Sequence, residues 1–274
     1  MHLSFRALFL VSAAAMALPL SGCKVEAHAE TLVRYEGQDR TASSPYTAGQ
    51  SVLIQSRMGD VDVAVGSGDA LDVTFQPFTM DTKDNKDVAT NQIRDMLNTE
   101  IVTEGDLIKV QVWRDDGASG NLGADAIVTL PASFDGDFRV EEEMGFVRID
   151  LGGRAKSTAV VHTGPGDVDV TGASGPLEIE TDVGDATVDV ASFAGGKVST
   201  GNGDLTFILP ASSSGSITAS ADGVEPVVYG PDPLPETWTV EEAAPNAKSF
   251  TFGEGGPVVD LTVRDLGDIY IEAK

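Results

Sequence analysis

The chain has 274 residues, with 43 Asp and Glu against 18 Lys and Arg, a formal net charge of −25, and a single cysteine. Such an acid excess excludes a protein built to hold nucleic acid or a bare anionic membrane, since both need clustered Lys and Arg. One cysteine excludes an intrachain disulfide, so stability has to come from a core that about 250 residues can bury as one extended domain.

The N-terminus reads as an export signal: Arg6, an apolar run over 7–20, then Leu20-Ser21-Gly22-Cys23. The apolar run is too short to span a bilayer. The four residues resemble the lipobox of bacterial lipoproteins, and that resemblance implies removal of 1–22 and lipid attachment to Cys23. Partners would then include a membrane leaflet through the lipid anchor, in the outer membrane if the cell has two membranes. Residues 23–50 mix charge, Ser, Thr, Pro and Gly without sustained periodicity and read as a tether.

Residues 51–135 form an entry region. A strand, a turn at Met58-Gly59-Asp60 and a second strand occupy 51–65, with Val61, Val63 and Val65 on one face. Another strand follows at 71–78. Between 81 and 101 the period lengthens: Val88, Ile93, Met96 and Leu97 fall near helical spacing, with Asp84 and Asn85 as capping side chains. Strands at 107–113 and 126–130 complete the entry.

Over 136–228 a glycine-centred phrase recurs. Gly145-Phe146-Val147, Gly166-Asp167-Val168, Gly184-Asp185-Ala186 and Gly203-Asp204-Leu205 stand at intervals of 21 (145 to 166), 18 (166 to 184) and 19 (184 to 203) residues. Outlying copies are Gly59-Asp60-Val61 and Gly267-Asp268-Ile269. Aligning the copies puts Val147, Val168, Ala186 and Leu205 in one inward file and Ile149, Val170, Val188 and Phe207 in the next. A second strand precedes each glycine, with Ala159, Val161, Leu177, Ile179 and Val198 inward. Thr163, Thr181 and Thr200 all stand three places before the corner glycine, and Ser220 continues that file. Two strands per roughly twenty residues cannot close a core alone, so successive coils must stack. The predicted fold is all-β: a right-handed parallel β-helix or β-roll-like solenoid with one short α-helix near its start. An antiparallel β-sandwich is the alternative, because it too shows strands every eight to twelve residues. Residues 229–250, with Pro231, Pro233, Pro235 and Pro245, read as a loop excursion with a short strand at 238–240. The segment 251–274 returns as a closing coil, offset by one because Val263 stands four places before Gly267.

The repeat, the strand, helix and strand before it, the segment Val128-Thr129-Leu130-Pro131-Ala132 and the closing Gly267-Asp268-Ile269 resemble the bacterial putative-adhesin domain family over about 51–271. The resemblance implies stacked β-strand coils and an adhesive role at the cell surface.

Residue chemistry points the same way. Asp167, Asp185 and Asp204 at the corners admit two readings: weak metal ligands for calcium, or acceptors in the turn beside a positive-φ glycine. His162 and Glu180 share an offset four places before the corner glycine and would be outward neighbours, an acid-base pair or a surface ion pair. With His28 the other histidine after the signal, no zinc site is expected. Outward carboxylates Asp150, Asp169, Glu178, Glu180 and Asp189 are the basis for any carbohydrate-active reading, but no nucleophile or oxyanion hole accompanies them. The expectation is therefore a non-enzymatic, lipid-anchored envelope protein without catalytic residues or a required cofactor. It binds an unidentified envelope component, glycan or protein through contacts such as Asp169, Glu178, Glu180 and Asp189. A calcium-dependent carbohydrate-binding or carbohydrate-active protein is the alternative.

Overall fold

A computed structural model describes residues 31–82, 84–153, 158–223 and 226–274. Cys23, His28 and the signal segment lie outside the described residues.

The first strands, β1 (Leu32–Glu36) and β2 (Arg40–Pro45), fall inside the stretch read as tether. Both pair antiparallel with one long strand, β5 (Ala70–Thr82). Their side chains alternate too weakly to announce a strand, and pairing with an existing edge is what orders them. Between them and β5 come β3 (Ser51–Ser56) and β4 (Val61–Val65), on either side of Gly59. The helix α1 (Lys86–Met96) follows β5 and buries Ala89 and Ile93, while Val88 is exposed. Its N-terminus carries no side-chain cap: the Asn85 amide donates to Asp81 Oδ1 and Thr82 Oγ1 instead. The C-terminus is held by Arg40, whose guanidinium donates to the Ile93 and Leu97 carbonyls at 2.9 and 2.8 Å.

Next are β6 (Leu97–Glu104), β7 (Leu107–Arg114) and β8 (Leu122–Leu130). Short strands then alternate: β9 (Phe138–Glu142), β10 (Val147–Asp150), β11 (Ala159–Pro165), β12 (Val168–Ala173), β13 (Leu177–Val183), β14 (Ala186–Val190), β15 (Gly196–Asn202), β16 (Leu205–Leu209), β17 (Gly215–Ala221) and β18 (Val228–Tyr229). The expected strand at 238–240 is longer, forming with its neighbour the hairpin β19 (Trp238–Ala244) and β20 (Ala247–Phe252). Last come β21 (Val258–Leu266) and β22 (Ile269–Ala273).

Among the described residues every strand belongs to one of two eleven-stranded mixed sheets. Sheet 1 runs β1-β5-β8-β4-β10-β12-β14-β16-β22-β18, with β2 also on β5; sheet 2 runs β19-β20-β17-β21-β15-β13-β11-β9-β3-β7-β6. The glycine-centred strands from β9 to β16 go alternately to sheet 2 and sheet 1, and each pairs in parallel with the strand one repeat away. In sheet 1, Val147, Val168, Ala186 and Leu205 are successive partners, as are Ile149, Val170, Val188 and Phe207; all are buried. Ala159, Val161, Leu177, Ile179 and Val198 fill the same core from sheet 2. Among the described residues antiparallel pairs occur only toward the two ends of the sheets, through β1, β2, β5 and β6 at one and β19 and β20 at the other.

Spatial order departs from chain order at both ends. The pair β3 and β4 lies inside β7 and β8, against β9 and β10. Symmetrically, β21 and β22 lie between β15 and β16 on one side and β17 and β18 on the other. The closing segment is thus next to last, not terminal. Its offset of one is real and local: between the partners of Thr200 and Asn202, β21 carries one extra residue, a bulge at Arg264 and Asp265. Ser220 also falls outside the threonine file, where it was expected. Ser220 pairs with Thr262, and the file continues through Val263 to Ala221.

Candidate binding surfaces and the corner file

The corners are governed by glycine. Gly145, Gly166, Gly184, Gly203 and Gly267 have φ between +142° and +159°, and a Cβ on any of them would stand 1.8–2.3 Å from the carbonyl oxygen of the corner glycine one coil back. Only glycine admits both that backbone conformation and that approach. Beside it, each corner aspartate bonds to the next coil: Asp167 Oδ1 accepts from the Asp185 N–H at 2.9 Å, Asp185 from Asp204 at 2.8 Å, and Asp204 from Asp268 at 2.8 Å. Asp125 and Asp60 do the same for Asp60 and Phe146. The three calcium candidates therefore stand in one file, each with an oxygen engaged by backbone. No group of three or more His, Cys, Asp or Glu arranged to hold a metal occurs among the described residues.

On the inner side of the corner, Thr181 Oγ1 donates to the Gly166 carbonyl at 2.8 Å and Thr200 Oγ1 to the Gly184 carbonyl at 2.8 Å. Two coils earlier the file carries Glu142, and before that Ser56, partners in β9 and β3. Glu142 is 4% exposed, and although the Met144 N–H donates to Oε1, Oε2 has no hydrogen-bond partner. Burial pushes its carboxyl up to about 8, against the opposing effect of the Ser56 hydroxyl beside it. The Ser56 hydroxyl itself meets no partner with hydrogen-bond geometry.

The outer faces carry rows of side chains one strand apart. On sheet 1 the row is Asp62, Arg148, Asp169, Thr187, Thr206, Tyr270 and Tyr229, and the two tyrosine rings stack at 4.9 Å. On sheet 2 it is Glu100, Gln111, Gln55, Glu141, His162 and Glu180. Here Gln111 donates to Gln55 at 3.0 Å and Gln55 to Glu141 at 2.7 Å. This second row floors an open groove of about 920 Å³ that crosses β6, β7, β3, β9, β11 and β13.

The residues expected to make ligand contacts are split between opposite sheets. Asp169 and Asp189 belong to sheet 1, where Asp189 pairs with Lys274; Glu178 and Glu180 belong to sheet 2. His162 and Glu180 are strand partners, as expected. Yet the His162 Nε2 contact is to Glu178 at 3.7 Å, and Glu180 is bonded by Arg264 at 2.8 Å from two strands away. Gln55 and Glu141 were legible too, each four places before its corner glycine as His162 and Glu180 are, whereas Gln111 and Arg264 carried no repeat signal, because out-of-order threading at the two ends is what brings their strands to those of the middle. Glu142 was legible: it stands three places before Gly145, as Thr163 does before Gly166.

No family model matches the chain, and no curated protein matches it. Among solved structures it is similar to a putative cell adhesion protein from Clostridium sporogenes, 11% identical, over 86% of this chain and 100% of that one, with a TM-score of 0.50. A putative adhesin from Bacteroides fragilis is 13% identical over 85% of this chain and 97% of that one, with a TM-score of 0.40. At this identity the first likeness is one of fold.

Proposed function

We propose that the protein is a lipid-anchored, exported component of the bacterial envelope that binds a surface partner without catalysis, and that its two sheets are the faces of a flattened parallel β-solenoid. The observation that carries the reading is the set of outward rows: side chains repeat at about 4.8 Å steps across neighbouring strands, ruling two long polar faces suited to distributed contacts. Fold likeness to the putative cell adhesion protein from Clostridium sporogenes supports it. So do the carboxylates, because Asp189, Glu178 and Glu180 each face a cationic or titratable side chain and lie on different sheets, which favours surface ion pairing over acid-base work. Calcium is not required by the reading, since the corner carboxylates serve backbone N–H groups.

Two measurements test it. Mass spectrometry of the mature N-terminal peptide should find Cys23 lipidated; an unmodified Cys23 removes the anchor. Purified protein panned against envelope fractions and glycans should retain a partner without turning it over. Turnover of a polysaccharide, lost in Glu180→Gln while binding persists, would replace this reading with an enzyme.

A further inference from the structure

We propose that the cleft at the β18 end of sheet 1 binds a neutral saccharide, whose pyranose ring stacks on Tyr229 while its hydroxyls meet Asp232, Glu272 and the uncovered edge of β22. The inference rests on the binding-module reading and names the chemistry of one ligand.

The ring platform is the first ground. Tyr270 and Tyr229 end the outer row of sheet 1, with their ring planes 7° apart. Tyr270 has Thr206 as its neighbour on the other side, whereas Tyr229 stands on the last strand of the sheet and is 45% exposed. One aromatic face is therefore left over, and it lines the cleft. Such a face carries partial negative charge and attracts the weakly positive C–H groups of a sugar ring, whose rim stays polar.

The second ground is the strand edge beside that ring. Among the described residues β18 covers β22 only at Ile269 and Tyr270, while β16 pairs with it through Ala273. The edge over 271–273 opens on the cleft. The Ile271 side chain is in the core, 2% exposed, so what it turns to the cleft is backbone. An uncovered edge offers both N–H and C=O groups, and a hydroxyl, which donates and accepts, satisfies either. A partner strand is the poorer occupant, because the free edge is three residues long and Pro231, Pro233 and Pro235 wall it off.

Charge and rigidity are the third. Asp232 and Glu272 are the charged lining, and neither has an ion-pair or hydrogen-bond partner among the described residues, unlike the paired carboxylates of sheet 2. They accept from hydroxyls and repel sugar acids. The walls are set before a ligand arrives. Gly230 lies against the Phe250 ring, where a Cβ would stand 2.7 Å from Cε1; the prolines restrict the chain after it; and the Trp238 N–H donates to the Pro235 carbonyl at 2.9 Å. Opposite, the Ala211 N–H donates to the Lys274 carbonyl at 2.9 Å. The cleft holds about 480 Å³, within the roughly 300–1,000 Å³ of small-molecule sites and more than a lone ammonium group fills.

The test uses the full exported chain and the neutral disaccharides cellobiose, lactose, mannobiose and diacetylchitobiose, followed by calorimetry and saturation-transfer NMR. Digalacturonate, choline and a Lys-Arg decapeptide are the other probes. Saturable one-to-one binding of at least one neutral disaccharide is expected, with saturation passed to the C–H protons of one ring face. Tyr229→Ala should weaken it at least tenfold and Glu272→Gln several-fold, with unchanged melting temperatures. Tyr229→Phe, which keeps the ring, should change it less than threefold, and Asp169→Asn, farther along the same face, less than twofold. Saturation by none of the four disaccharides, binding that Tyr229→Ala leaves intact, or equal binding of digalacturonate would overturn the proposal. So would tighter binding of choline or the decapeptide, lost in Asp232→Asn/Glu272→Gln, which would make the cleft a cation site. If the protein retains an envelope partner but binds no disaccharide, the inference fails and the adhesive reading stands; if it retains nothing, the reading itself fails.

Discussion

The middle of the stack and its two ends solve the same stacking problem with different means. From β11 to β16 each strand meets its copy one repeat away, and one glycine, one aspartate and one threonine per coil do the joining. At the ends the chain leaves that order, tucks its first and last parallel pairs one place inside, and covers them with antiparallel strands, a helix and a hairpin. The difference shows what each region faces. An interior coil has a neighbour on both sides, whereas an end must hide strand edges that would otherwise recruit another chain. Tucking these two pairs inside also locks them, since neither β3 nor β22 can peel away without opening two neighbours.

The largest test of that comparison is truncation after Gly256. In a stack built in chain order, removing the last coil would sacrifice one interface; here β21 and β22 are bounded on both sides, so two are lost. The expected outcome is a fall in melting temperature of roughly 10 °C or more, or loss of cooperative unfolding, by calorimetry. A shift of a degree or two would mean that the inserted coil is dispensable.

Next in size is a charge in the core. Val188 is fully buried between Val170 and Phe207, so Val188→Asp should cost about 4 kcal/mol or more. Thr187→Asp, one residue away on the outer face, should stay within about 1 kcal/mol despite its neighbour Asp169. Similar urea midpoints for the two would refute the register.

The glycines separate middle from end more finely. In Gly184→Ala the new methyl meets the Gly166 carbonyl at 2.3 Å, and a loss of about 3 kcal/mol is expected. Gly105, at φ +60° in the end hairpin, has open space around it, so Gly105→Ala should cost about 1 kcal/mol. Denaturant titration of both variants checks the ratio.

The remaining test concerns Glu142, where the two regions meet. Its folded carboxyl titrates at about 8, above the ordinary 4.5, so the unfolded chain releases the proton first. Stability from this group is therefore complete below about pH 4.5 and declines as pH rises toward 8, by at most about 5 kcal/mol. Glu142→Thr, which restores the residue used by later coils, should flatten that slope and gain most at alkaline pH. A wild-type profile equally flat from pH 5 to 8 would show that Glu142 is ionised in the folded protein.

The corner glycines and the inward files were legible because each is a local demand repeated at a fixed interval. Thr163, Thr181 and Thr200 sit at one offset in the sequence and are successive partners in sheet 2. By contrast, β1 and β2 looked like tether, Asn85 looked like a cap, and Ser220 looked like the next rung. For the strands and the rung a distant partner decided the outcome: β5 ordered the first two strands, and pairing with β21 sets Ser220 against Thr262; Asn85 was decided locally, its amide taken by Asp81 and Thr82. The groove was hidden for the same reason, since Gln111, Gln55 and Glu141 are adjacent only because β3 slips between β7 and β9.

By itself the sequence determined the coil: which residues face inward, which residue turns the corner, and that coils must stack, because period, alternation and backbone conformation act over a few residues. Tertiary structure alone decided the order in which coils lie and which outward side chains meet, because strand edges pair with whatever edge is free, and the nearest one in space need not be the nearest along the chain.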